Sequence, residues 1–316
     1  MDLFSSTSAL YIALTLLTIS KGISGATFTL INRCGYTVWP GILSNAGSSP
    51  LETTGFQLPP GGSRSFQSPP NWSGRFWGRT GCTFDPATGQ GSCLTADCAS
   101  NQIECNGRNA KPPATLAEFT IGSGTQDFYD VSLVDGYNLP MVVEPNRGSG
   151  NCLSTGCITD LNQQCPAELK DGSGQACKSA CEAFGTPEYC CSGAFATPDT
   201  CKPSVYSQMF KAACPRSYSY AYDDATSTFT CTGADYVITF CPSVASQKSA
   251  TGSQTTTTST ATGSDTGSGN EPSGINSSWW TDIFTGGSSR AVPSSAWLLA
   301  LIGSTISCQL LSFLYL

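Results

Sequence analysis

Residues 26–34, ATFTLINRC, alternate apolar and polar side chains, the period-2 pattern of a half-buried strand. YTVWPGIL (36–43) follows, broken by Pro40–Gly41. GFQLPPGGSRSFQSP (55–69) predicts two short strands around a Pro-Pro-Gly-Gly turn. In GRFWGRTGC (74–82), Phe76 falls on one face and Arg75, Trp77 and Arg79 on the other, because successive strand side chains alternate. Further strands are predicted at Ala114–Ile121, Phe128–Val134 and Leu139–Glu144, the last two as a pair across a turn at Gly136–Tyr137–Asn138. SYSYAY (217–222), STFTC (227–231) and YVITFC (236–241) close the pattern. Many short strands at this spacing predict an all-β sandwich or barrel. Residues 148–201 interrupt it with eight cysteines and two helix-like pieces, Pro166–Lys170 and Ala176–Phe184, separated by Gly172–Ser173–Gly174. That stretch predicts a disulfide-held lobe with little core of its own.

The two ends have a different character. Residues 8–20 are an apolar run followed by the small residues Ser24–Gly25–Ala26. This predicts a signal peptide over 1–25, although Asp2 replaces the usual basic start; a short membrane anchor is the alternative. Residues 243–290 are dominated by Ser, Thr and Gly, a composition that cannot bury enough apolar surface to order itself. They predict a disordered, O-glycosylated stalk. The uncharged stretch Ala296–Leu316 follows small residues and a polar spacer, so 291–316 has the layout of a GPI signal. A transmembrane helix is the alternative. Asn71 (Asn-Trp-Ser) and Asn276 (Asn-Ser-Ser) are N-glycosylation acceptors.

Composition narrows the chemistry. The 316 residues include 17 cysteines and no histidine. Sixteen cysteines lie between Cys34 and Cys241, an even number that predicts eight disulfides and an oxidising compartment. With no histidine and no paired CxxC units, no metal site and no cofactor are expected. A Ser–His–Asp triad and a Cys–His pair are excluded. Any hydrolysis must rest on carboxylates, the chemistry of glycosidases. The 26–242 region carries twelve Lys and Arg against eighteen Asp and Glu, a net charge of −6. Nucleic acid is therefore not an expected partner.

GQGSCLTADCASNQIEC (89–105) resembles the signature of the plant-type thaumatin-like, pathogenesis-related proteins, with Ala96 where that family usually has Gly. NRCGYTVWPGI, GRFWGRTGC, PPATLAEFTI, DFYDVSLVDGYNLPM, CPAEL, YCC, SYSYAYDDATSTFTC and YVITFCP stand in family order, so the resemblance spans 26–242. It implies a flattened β-sandwich, a disulfide-rich lobe and a small third lobe, with a cleft between the first two. It also implies the pairs Cys34–Cys241, Cys82–Cys93, Cys98–Cys105, Cys152–Cys231, Cys157–Cys214, Cys165–Cys177, Cys181–Cys190 and Cys191–Cys201. The family's cleft residues map onto Arg75, Glu118, Asp130, Asp135 and Asp224, with Asp223 as the alternative to the last. Asp130 and Asp135 are five apart and would face opposite sides of one strand, so both line a cleft only if Asp135 belongs to the turn before Gly136. A buried Arg75 is expected to hold the neighbouring carboxylates ionised, with Glu118 as general acid and Asp135 as its partner. Arg216 is expected to make the cleft surroundings less acidic. Trp39, Trp72 and Trp77 are candidates to stack on sugar, but the apolar strand around Trp39 assigns it to the core, and Asn71 sets Trp72 under a glycan.

These residues support three readings. The first is a secreted, surface-tethered defence protein whose cleft binds β-1,3-glucan, or another wall polysaccharide, as a monomer. The second is a weak endo-β-1,3-glucanase using Glu118 and Asp135. The third is a non-enzymatic protein of the host wall that engages a wall or membrane protein.

Overall fold

The computed structural model describes residues 25–243. The readings of signal peptide, stalk and tail fall outside the described residues, except for Gly25 and Ser243 at their boundaries, and Asn276 lies outside them too. Twelve strands run in chain order: β1 Thr27–Asn32, β2 Trp39–Ser44, β3 Ser63–Gln67, β4 Ser73–Arg79, β5 Thr83–Phe84, β6 Gly91–Ser92, β7 Leu116–Thr120, β8 Gln126–Ser132, β9 Met141–Asn146, β10 Thr155–Cys157, β11 Phe229–Thr232 and β12 Asp235–Phe240. One five-stranded sheet has the order β10-β9-β12-β1-β3, the other β11-β8-β7-β4-β2, and β5-β6 form a small hairpin.

The alternation seen in the sequence becomes burial. Along β1 every second residue is buried, so Phe28 and Leu30 enter the core. The ring of Phe28 lies 5.2 Å from that of Trp72, 4.9 Å from Phe76 and 4.7 Å from Phe119. These tilted and edge-on contacts join the two sheets and suit the quadrupoles of the rings. β1 also pairs in parallel with β12, Phe28 opposite Tyr236 and Asn32 opposite Phe240. The first and last strands are therefore neighbours, and Cys34–Cys241 ties them across 207 residues. Closing so long a loop stabilises by about 5 kcal/mol in the chain-entropy picture. The other seven pairs are also those that the resemblance implied.

Several local expectations change. β8 and β9 do not form a hairpin across Gly136–Asn138, because they belong to opposite sheets. The connection runs through the interior instead. Tyr137 is buried, and Asn138 donates to the Gly78 carbonyl at 2.8 Å and accepts from the Thr115 N–H at 3.0 Å. A strand–turn–strand pattern looks the same whether the chain doubles back or crosses between sheets; distant partners decide. SYSYAY is not a strand either. Tyr218 makes one parallel bridge to Ser132, and beyond it Ser219 bonds to Asp223. Only the second half of 55–69 becomes a regular strand, β3; Gly55 and Leu58 make single bridges.

The lobe holds helices α1 Ala180–Phe184 and α2 Pro187–Cys190, and just beyond it lie α3 Val205–Ala213 and α4 Asp224–Ser227. α1 begins at Ser179, whose Oγ accepts from the Glu182 N–H at 3.2 Å, an S-x-x-E helix start. Ala176–Lys178, expected to be helical, is not; Ala176 sits in a bend and Cys177 makes single bridges to Tyr137 and Lys170. The longest helix, α3, has no counterpart in the sequence reading. At Pro166–Lys170 only a single 3-10 turn, Ala167–Leu169, forms.

Candidate functional site

Four neighbouring strands of the second sheet build one wall. Their register sets Leu43 opposite Arg75, Arg75 opposite Glu118, and Glu118 opposite Asp130. Directly opposed residues on adjacent strands share a face, so these residues form a row across β2, β4, β7 and β8. Asp135 reaches the same cavity from the turn after β8, at which Gly136 has φ +83°. A Cβ at that glycine would come within 2.7 Å of the Cys177 carbonyl oxygen, so the turn that re-aims Asp135 needs glycine. Asp224 opens α4 and accepts from the Tyr218 hydroxyl at 2.9 Å. All five expected residues line one cavity of about 420 Å³.

Asp223 has a different role. Its Oδ2 accepts from the Ser219 N–H at 3.0 Å and lies 2.9 Å from Lys211 Nζ, holding the 217–224 loop closed. Arg216 is not among the residues that line the cleft. Its guanidinium lies 4.9 Å over the Phe229 ring. The tryptophan assignments also change. Trp72 and Trp77 are fully buried, and Trp39 is the half-buried one. Trp72 Nε1 donates to Ser44 Oγ at 2.9 Å, so its indole packs inward while Asn71 is exposed.

The electrostatics correct a further expectation. Arg75 Nη2 lies 3.2 Å from Glu118 Oε1, and its charge favours ionisation of every carboxylate nearby. Burial wins nonetheless. It raises Glu118, with a smaller push from Asp135, despite Arg75. It raises Asp135 against the same guanidinium. Asp130 is held well above the usual carboxylate range by burial first and by Glu118 next. Desolvation penalises the charged form more than one partly buried arginine can repay. Asp130 Oδ2 and Arg75 Nε are both buried without a hydrogen-bond partner among the described residues. Such atoms are costly in a folded protein and call for a ligand or water.

Sequence reasoning missed two members. Tyr218 lines the cleft and holds Asp224; its tyrosine-rich run reads as strand, which gives no hint of this. Glu182 lines an adjoining cavity of about 360 Å³ that shares Val134, Asp135 and Ala221 with the first. Burial pushes its carboxyl up to about 7, with Asp135 adding to the rise and Lys178 opposing it. Its Oε2 is likewise buried without a partner. The only sequence signal there is the S-x-x-E spacing, which announces a helix start. The arrangement offers acceptors, donors and proton-holding carboxyls along one groove, chemistry suited to a hydroxyl-rich ligand.

The chain matches the family model described as Thaumatin family over residues 32–242. It is 73% identical over 230 residues to "Thaumatin-like protein 1" of Arabidopsis thaliana, covering 71% of this chain and 88% of that protein. It is 59% identical over 224 residues to "Pathogenesis-related thaumatin-like protein 3.5" of Cryptomeria japonica, covering 70% and 92%. It is 53% identical over 239 residues to "Glucan endo-1,3-beta-glucosidase" of Prunus avium, covering 74% and 97%.

Proposed function

Because the chain belongs to the thaumatin family of pathogenesis-related proteins, we propose that its acidic cleft binds β-1,3-glucan of fungal walls and that it acts as a defence protein at the cell surface. One observation carries the reading. The row Arg75–Glu118–Asp130 leaves Arg75 Nε as an unused donor and Asp130 Oδ2 as an unused oxygen in the same cleft. A sugar hydroxyl both donates and accepts, so a glucan chain laid along the row satisfies both. Asp135 and Asp224 line the same groove. Eight disulfides suit the secretory route, and the stalk with its GPI-type tail would tether the domain to the outer leaflet.

A second reading is weak endo-β-1,3-glucanase activity with Glu118 as acid and Asp135 as its partner. The raised Glu118 carboxyl favours it, since a general acid must hold its proton at the working pH. The printed name of the Prunus avium relative points the same way.

Retention on insoluble β-1,3-glucan and release of new reducing ends, measured together, test both readings. The secreted protein is compared with a Glu118→Gln, Asp135→Asn double variant. Retention without new ends supports the binder. Ends released by the wild type alone support the hydrolase. Neither signal overturns both and turns attention to a wall or membrane protein as partner.

A further inference from the structure

A third cavity, of about 460 Å³, lies at the start of β2 and shares no lining residue with the acidic cleft or the cavity that adjoins it. Tyr36, Trp39, Thr80, Asn162 and Gln175 are among its walls, and none of its lining residues carries a charge. We propose that this cavity is a second carbohydrate site, one that takes a pyranose ring of a neutral glycan.

Three observations carry the assignment. The first is the aromatic surface. Trp39 is only half-buried and Tyr36 is 47% exposed, whereas the other two described tryptophans are fully buried. A half-covered indole is a platform for the apolar face of a sugar ring. The second is an acceptor fixed in place. Asn162 Nδ2 donates to the Asn138 carbonyl at 2.9 Å, and the Asn162 N–H donates to Asp160 Oδ1 at 3.1 Å. With the amide so held, Oδ1 is buried and has no partner among the described residues. An unmet buried acceptor is satisfied by an incoming hydroxyl. The third is rigidity. Arg79 donates to the Trp39 carbonyl at 2.9 Å through Nε and to the Pro40 carbonyl at 3.3 Å through Nη2. The indole thus stands on an anchored strand, the support a binding site needs.

The absence of charge separates this site from the cleft. Trp39 pairs with Arg79 four residues along the strands from the Leu43–Arg75 pair, about 13 Å at strand rise. Arg79 stands at the Trp39 end of this span, with its guanidinium bonded to the carbonyl of Ile103 at 2.6 Å. The charged groups beside this cavity are Asp160, which accepts from the Asn162 N–H, and Arg79, opposite Trp39; neither lines it, so a neutral ligand makes no ionic contact there. Binding there is therefore flat between pH 4 and 7, while binding in the cleft follows its carboxylates.

The test is calorimetric titration of the full-length protein with laminarihexaose and, separately, cellohexaose, in the Glu118→Gln, Asp135→Asn background. That background keeps this site measurable even if the cleft binds nothing. The expected result is pH-independent binding of at least one hexasaccharide. Adding Trp39→Leu weakens it at least tenfold, and adding the exposed-site change Gln175→Ala weakens it a few-fold. Trp39→Phe, which keeps a ring to pack on Phe84, whose ring centre lies 4.8 Å from that of Trp39, retains most of the affinity and guards against a folding defect. No binding of either sugar at millimolar concentration overturns the proposal. So does affinity that is unchanged by both Trp39→Leu and Gln175→Ala.

Discussion

Arg75 and Arg79 stand four residues apart on the same face of β4, yet they belong to two regions built on opposite plans. Arg79 is fully buried, and its guanidinium is met by the carbonyls of Trp39, Pro40, Gln102 and Ile103. Burial lowers its pKa to about 10, against the pull of Asp97 and Glu104, and it still carries its charge at neutral pH. It holds the stapled loop around Cys98–Cys105 onto the sheet. Arg75 is partly open to solvent, makes one ion pair, and leaves Nε without a partner. The first arginine is satisfied by backbone and is architecture. The second is under-satisfied beside three crowded carboxyls and is a site. Unmet polar groups are what a protein keeps where something must bind.

The two regions also answer pH with opposite signs. In the loop region, burial pushes the Glu104 carboxyl up, but hydrogen bonds from Thr53 and Thr54, each 2.6 Å, outweigh it and hold it low. A lowered carboxyl stabilises the fold above its unfolded pKa, and that stabilisation is lost as pH falls through the folded value. The cleft carboxyls Glu118, Asp130, Asp135 and the adjoining Glu182 are all raised. The folded state then binds more protons than the unfolded chain, so stability falls as pH climbs above the ordinary values, 3.8 for the aspartates and 4.5 for the glutamates, toward about 7, where Glu182 is held.

The largest expected effect breaks the architecture and spares the site. Arg79→Met leaves four carbonyls, that of Pro40 in a buried bond and the others partly buried, without their donor and costs about 3 kcal/mol, read as a shift in denaturant midpoint. A cost below about 1 kcal/mol would show that the loop is held without it. Next, Ala96 sits at φ +54° with its carbonyl accepting from Trp77 Nε1 at 3.1 Å. Ala96→Gly relieves a left-handed alanine and stabilises by about 1 kcal/mol, seen as a higher melting temperature. The third prediction concerns the cleft. Melting temperature is expected to peak near pH 4–5 and fall toward pH 7, and Asp130→Asn flattens that fall, gaining on the wild type as pH rises. An unchanged slope would place the burden on other groups. The smallest effect on stability belongs to Arg75→Gln, about 1 kcal/mol for a pair whose side chains are 24% and 32% exposed, although glucan retention is expected to drop about tenfold. If Arg75→Gln unfolds the protein and Arg79→Met does not, the comparison between the two arginines is reversed.

The period-2 alternation was enough to put Phe28 and Leu30 inward and to place Arg75, Trp77 and Arg79 on one face. Sixteen cysteines and no histidine determined the disulfide-held class and left carboxylates as the available chemistry. Motif order along 26–242 identified the family and, through it, the cleft residues. These signals are legible because alternation and turn chemistry follow from covalent geometry over a few residues. Tertiary structure decided the rest. It sent β8 and β9 to opposite sheets, buried Arg79 and opened Arg75, reversed the places of Trp39 and Trp72, and lifted the cleft carboxyls despite their arginine. Register and desolvation are set by partners that are distant in the chain, Glu118 for Arg75 and Ile103 for Arg79, and no local pattern encodes which strand will lie alongside or how much water will be left.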